Sequence, residues 1–228
     1  MSLKLILTSF LALTAIASPV PAPAPAPDTF AIPQPEITER QLGSSTKNEV
    51  INGVCRPVTY IFARGTGESG NLGSSVGPAL ETALESLLGG NSGVATQGVT
   101  YPASVAGAVS GSVSPQRAEG AIEMARLTRL ALSNCPDTQV VLAGYSQGAQ
   151  QVHGALLNLQ RGQVSAAVTF GDPLSRQAFA NIDASKARVY CNTGDQVCEN
   201  RFVITAAHLT YATTSVRPAA QFVQQALA

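Results

Sequence analysis

Ser146 lies in Gly144-Tyr145-Ser146-Gln147-Gly148, after an apolar run at 139–143 and ahead of a helix-like segment that begins near Ala149. A serine hydroxyl is a poor nucleophile at neutral pH. Acyl-transfer chemistry at this position therefore requires an imidazole base, a carboxylate to orient it, and donors aimed at a developing oxyanion. G-x-S-x-G between a strand and a helix is the arrangement that holds a nucleophilic serine on a sharp bend, its small neighbours letting the two elements pass close together. The pentapeptide alone is equally compatible with a glycine-bounded loop, so its partners decide.

Two histidines compete for the base. His153 is seven residues past Ser146 on the outgoing helix, which puts it about 10 Å down the axis and out of reach of the serine proton. It is expected to be a helix-surface or packing residue. His208, in Ala206-Ala207-His208-Leu209-Thr210, lies between the last strand and the C-terminal helix. Serine, acid, histidine is the chain order that strand–helix hydrolytic folds use. Asp172, Asp183 and Asp195 are the candidate acids. Asp172 follows a strand directly, but Asp172-Pro173 also reads as a simple turn. Asp195 lies between Cys191 and Cys198, where a bridge would fix an otherwise mobile loop, and it is favoured for that reason over Asp172, with Asp183 behind. One oxyanion donor is the N–H of Gln147, at a helix N-terminus whose dipole favours negative charge. Thr66, in Arg64-Gly65-Thr66-Gly67-Glu68, is the expected second.

The elements that must position these residues can be read from periodicity. Strands are expected at 57–63, 94–101, 139–143, 164–170 and 187–191. Helices are expected at 76–88, with Leu80, Ala83, Leu84, Leu87 and Leu88 inward, and at 115–132, started by Pro115 with Ser114 as cap and with Ala118, Ala121, Ile122, Ala125 and Leu130 on its apolar side. Two more are expected at 147–160 and at 215–227. The uncharged serine, glycine, alanine and valine at 103–114 predict a loop. Strands alternating with helices imply an α/β fold, a mostly parallel sheet covered on both faces.

The first residues carry one lysine, an apolar run at 5–16 and small residues near Ala17, the pattern of a secretory signal peptide cleaved after Ala17. Residues 18–40 are dominated by proline and alanine and read as a pro-segment or linker, leaving 41–228 as one catalytic domain. Lysine plus arginine equals aspartate plus glutamate at 14 each, and no basic run occurs, so nucleic-acid or anionic-membrane binding has no electrostatic support. Export makes disulfides the default for the four cysteines. Of three possible pairings, Cys191–Cys198 staples one short loop and leaves Cys55 for Cys135. No compact four-ligand pattern suggests zinc, no cofactor is called for, and no N-x-S/T acceptor is present.

Phe62-Ala63-Arg64-Gly65-Thr66-Gly67-Glu68 with Gly70-Asn71-Leu72-Gly73, the Ser146 pentapeptide, Cys191 to Cys198 enclosing Gly194-Asp195, and His208-Leu209 together resemble the fungal cutinase family from about Asn48 onward. The resemblance implies a compact, lidless α/β-hydrolase fold, two disulfides, no metal, and a monomeric secreted esterase acting on an insoluble polyester or small esters. It implies Ser146 as nucleophile, His208 as base, Asp195 as acid, Thr66 and Gln147 as oxyanion donors, and Ile204 and Leu209 flanking an acyl groove. The opposing wall is expected from 101–109. Gly67 departs modestly from the family pattern. An acetylxylan esterase on the same scaffold is the nearest alternative; a non-catalytic secreted wall-binding protein is a more distant one, and a triacylglycerol lipase is disfavoured because no lid segment interrupts the domain.

Overall fold

The computed structural model describes residues 44–228, so the expected signal peptide and pro-segment lie outside the described residues. Five strands, β1 (Val58–Ala63), β2 (Val94–Gly98), β3 (Gln139–Tyr145), β4 (Ala166–Phe170) and β5 (Ala187–Tyr190), form one sheet in the order β2-β1-β3-β4-β5. Every pairing is parallel. Chain order reverses between β1 and β3, and an open α/β sheet places its ligand crevice at the carboxyl ends of the strands at such a switch point. The two segments leaving β1 and β3 there carry Thr66 and Ser146.

Side-chain alternation in the strands divides the core into two layers. Tyr60, Phe62, Val141, Ala143 and Val168 face one side, under α1 (Val76–Leu87) and α6 (Val216–Leu227). Ile61, Val140, Leu142 and Ala167 face the other, against α3 (Glu119–Asn134) and α4 (Gln147–Asn158). The sheet is thus buried on both faces, as a parallel sheet requires. Among the described residues no lid insertion covers it, and no helix is long and apolar enough to cross a membrane.

Three local expectations change. The segment expected as a loop at 103–114 contains a helix, α2 (Val105–Val113), whose first turn is capped by the Ser104 hydroxyl accepting from Gly107 N–H at 3.1 Å. Its sequence has low helix propensity. What holds it is Gln150 Nε2 on α4, which donates to Ala108 O at 2.9 Å and Ser112 Oγ at 2.6 Å. Next, α3 begins at Glu119, after a 3₁₀ turn at Pro115–Arg117, with Ala118 rather than Ser114 at its N-cap. Ile122 points outward, because Ala121, Met124, Ala125 and Leu127 complete the inward stripe without it. A single extra turn, α5 (Tyr211–Thr214), precedes α6.

Both disulfides form as expected. Cys55–Cys135 joins the segments ahead of β1 and β3 across 80 residues, and Cys191–Cys198 closes a loop with a separation of 7.

Candidate active site

Ser146 stands between the last residue of β3 and the first of α4 with φ 56° and ψ −119°, a left-handed conformation for a residue that is not glycine. Such strain costs on the order of 1–3 kcal/mol and persists only where the surroundings impose it. Here they do. A Cβ on Gly144 would lie 2.2 Å from Gly148 O, and one on Gly148 would lie 1.9 Å from Ala63 O, so both flanking glycines are required by backbone contact. Ser146 N–H donates to Phe170 O at 2.8 Å, which ties the bend to β4.

The Cys191–Cys198 loop and the 3₁₀ turn Ala206–Leu209 bring Asp195 and His208 together. His208 Nδ1 is 2.8 Å from Asp195 Oδ2, and both residues are buried. Asp195 Oδ1 accepts Val197 N–H at 2.9 Å, while Oδ2 also accepts the Tyr211 hydroxyl at 2.5 Å. Burial first, and then the bond to Asp195, pushes the Tyr211 phenol well above its usual range, so it stays a donor. The His208 ring stacks on Tyr145 at 5.0 Å, and Tyr145 OH donates to His208 O at 2.8 Å. With Nδ1 committed to Asp195, Nε2 makes no hydrogen bond among the described residues, and His208 and Ser146 line one cavity. Ser146 Oγ has no hydrogen-bond partner among the described residues.

The loop after β1 is held by Glu68. Its carboxylate accepts Gly65 N–H at 2.7 Å, the Ser75 hydroxyl at 2.6 Å, and the N–H groups of Ser75 and Ser74 at 3.1 and 3.2 Å. Arg64 donates to Glu68 O and Tyr101 O, each at 2.8 Å. Gly67, at φ 74°, donates its N–H to Ala103 O at 3.0 Å, so the departure at this position serves a left-handed turn. Thr66 is thereby brought against Gln147, its hydroxyl donating to Oε1 at 2.9 Å. The Thr66 N–H makes no hydrogen bond among the described residues, and the Gln147 N–H is one of the donors that a helix N-terminus leaves free.

Above these groups lies a cavity of about 360 Å³, a size suited to small ligands. Val105 and Ala108 of α2 line it, so the 101–109 region contributes to the cavity, as a helix. Val197, Phe202, Ile204 and Leu209 line it too, which brings both expected groove residues to the site. The remaining acid candidates are elsewhere. Asp183 is exposed and pairs with Arg161. Asp172 is buried and pairs with His153, Nε2 to Oδ2 at 2.9 Å, so of the two expected settings His153 takes the packing one. Sequence reasoning missed Tyr145, Tyr211, Glu68, Gln150 and Phe202. A tyrosine one helical turn after His208 was the available signal for Tyr211. No cluster of three or more metal-binding side chains occurs among the described residues.

A strained serine bend at the switch point of a parallel sheet, sharing a cavity with the histidine of a buried histidine–aspartate pair, defines a serine esterase of the α/β-hydrolase type. The family model for cutinases matches residues 54–227, and the chain belongs to the cutinase family. It is 48% identical over 190 residues to "Cutinase 4" of Emericella nidulans, covering 82% of this chain and 79% of that one. It is 39% identical to "Cutinase CUT2" of Pyricularia oryzae over 90% of each. Among solved structures it is similar to Trichoderma reesei cutinase in complex with a phosphonate inhibitor, with a TM-score of 0.73, 41% identity and 81% of each chain covered. An acetylxylan esterase aligns at a TM-score of 0.61 and 26% identity, over 77% of this chain and all of its own.

Proposed function

We propose that the protein is a secreted, monomeric enzyme that hydrolyses cutin and related aliphatic esters, with Ser146 as nucleophile, His208 as base and Asp195 as its orienting acid. His208 Nε2 takes the proton of Ser146 Oγ as Oγ attacks the ester carbonyl. The N–H groups of Thr66 and Gln147, with the Thr66 hydroxyl, stabilise the oxyanion. The alcohol leaves with the proton from His208, and a water molecule, deprotonated by His208 in turn, cleaves the acyl-enzyme. Asp195, 2.8 Å from His208 Nδ1, holds the imidazole in one tautomer.

The observation that carries the substrate class is the cavity: Ser146 and His208 line it together with the apolar side chains of Val105, Ala108, Ile204 and Leu209. Such side chains stabilise an acyl chain by about 0.8 kcal/mol for each methylene they bury. Two disulfides and the apolar leader support secretion. The similarity to an acetylxylan esterase supports a second reading, in which a small acyl group on a sugar is the substrate.

Rates on p-nitrophenyl acetate, butyrate and octanoate, on cutin and on acetylated xylan separate the two. Release of monomers from cutin and a preference for acyl chains longer than acetyl are expected; activity confined to acetylated xylan would overturn the substrate class. Ser146→Ala should lower turnover about 10⁴-fold or more. A variant with wild-type turnover would remove Ser146 from the mechanism.

A further inference from the structure

His153 and Asp172 are titratable, buried beside the site, and unused by the scheme above. Asp172 is wholly inaccessible to solvent, and its carboxylate is saturated: Oδ1 accepts Leu174 N–H at 2.7 Å, and Oδ2 accepts the Thr169 hydroxyl at 2.7 Å and faces His153 Nε2 at 2.9 Å. Phe179 stacks on the His153 ring at 4.2 Å. A buried carboxylate is tolerated only with donors on its oxygens, and these three set the shape of the turn at 170–175.

That turn reaches the serine, the histidine, the cavity and the loop that carries Asp195. Phe170 O accepts Ser146 N–H at 2.8 Å. Gly171, at φ 55°, lies so close to the base that a Cβ there would be 2.6 Å from His208 Cε1. Pro173 lines the cavity. The Ser175 hydroxyl donates to Cys198 O at 2.7 Å, on the loop that carries Asp195. His153 itself belongs to α4, the helix that Ser146 begins.

We propose that His153 and Asp172 form a positioning pair that clamps the nucleophile helix to the turn behind His208, and so sets the alignment of the imidazole with Ser146. The pair rests on the assignment of Ser146, His208 and Asp195 as the catalytic triad. It touches no substrate and exchanges no proton in the reaction. Without it, Leu174 N–H and the Thr169 hydroxyl lose their acceptor or α4 loses its tie, and the wall at Gly171 is free to move. Displacing a reacting group by about 1 Å is enough to cost on the order of 100-fold in rate.

The test compares His153→Ala, His153→Gln and Asp172→Asn in the full chain by kcat and KM on p-nitrophenyl butyrate, thermal midpoint, and the downfield proton resonance of His208 Nδ1–H. His153→Ala, assayed well below its midpoint, should lose about 10- to 100-fold in kcat with KM nearly unchanged. Its Nδ1–H resonance should shift or broaden. The glutamine variant, whose amide can still donate to Asp172, should recover most of the kcat and the resonance. Wild-type kcat in folded His153→Ala overturns the role, and so does a loss that leaves the resonance in place and is not recovered by glutamine. Should His153→Ala not fold, Asp172→Asn, which keeps the acceptor for Leu174, is judged by the same kcat and resonance criteria. Activity in Ser146→Ala would strike the triad assignment instead, so the two failures are distinct.

Discussion

Tyr211 braces the Asp195 carboxylate that faces His208. Its hydroxyl donates to Oδ2, the oxygen that also faces His208 Nδ1, and it accepts Asn192 N–H at 2.9 Å, so the ring cannot drift. In Tyr211→Phe that donor is gone, and the Asp195 carboxylate is held by one fewer bond. With Ser146, His208 and Asp195 as the proposed triad, kcat on p-nitrophenyl butyrate should fall by up to about tenfold for one hydrogen bond, with KM nearly unchanged. Wild-type kcat in folded Tyr211→Phe refutes this account. The contrast between Tyr211 and Ser146 shows what is legible at this scale. Ser146, His208 and Asp195 can be picked out because chemistry restricts their types and chain order restricts their arrangement. Tyr211 falls between His208 and the expected C-terminal helix with no motif around it, and only the return of the chain beside the Cys191–Cys198 loop brings its hydroxyl to a carboxylate.

Among the elements, the parallel strands were the most legible, since a strand buried on both faces is an apolar run bounded by polar exits. α2 was not, for a physical reason: its Val, Gly and Ser residues do not favour a helix, and its two ties to Gln150 span 42 and 38 residues of sequence. The disulfides separate stability from function. Replacing Cys55 and Cys135 by serine opens the longer loop and should cost about 4 kcal/mol in denaturant unfolding, with kcat retained in the folded enzyme. Replacing Cys191 and Cys198 should cost less, roughly 2.5 kcal/mol by the same chain-entropy relation, yet reduce kcat more, because that loop carries Asp195. The reverse ordering of the two kcat losses would show that the short bridge is not what holds the acid. Gly148→Ala is a sharper probe of the bend. Its methyl would meet Ala63 O at 1.9 Å, so loss of folded protein or a large drop in thermal midpoint is expected.

The whole molecule has an alkaline limit written into its phenols. Tyr60, Tyr101, Tyr145 and Tyr211 are all raised above the ordinary phenol range, with burial the first cause at each. In the unfolded chain they titrate near pH 10. Above that pH the unfolded state loses protons that the folded state keeps, so this contribution, fully present below about pH 10, is lost as pH rises toward the folded values. Urea midpoints should therefore hold to about pH 9 and fall steeply beyond pH 10, with phenolate absorbance appearing together with unfolding. Phenolate absorbance that rises fully while the fold persists would contradict the burial of these rings.

The same apolar side chains that receive a chain also reach the surface. Val105, Phe202, Ile204 and Leu209 are each more than half exposed, and Val109 and Val113 continue the stripe along α2. With 14 acidic and 14 basic residues the chain has no formal net charge to hold it off an interface. Purified protein should accordingly cling to polystyrene, to phenyl resins and to the air–water boundary, and added sulfate should tighten that adsorption rather than release it. In dilute stocks, container walls will compete with substrate for the mouth of the cavity.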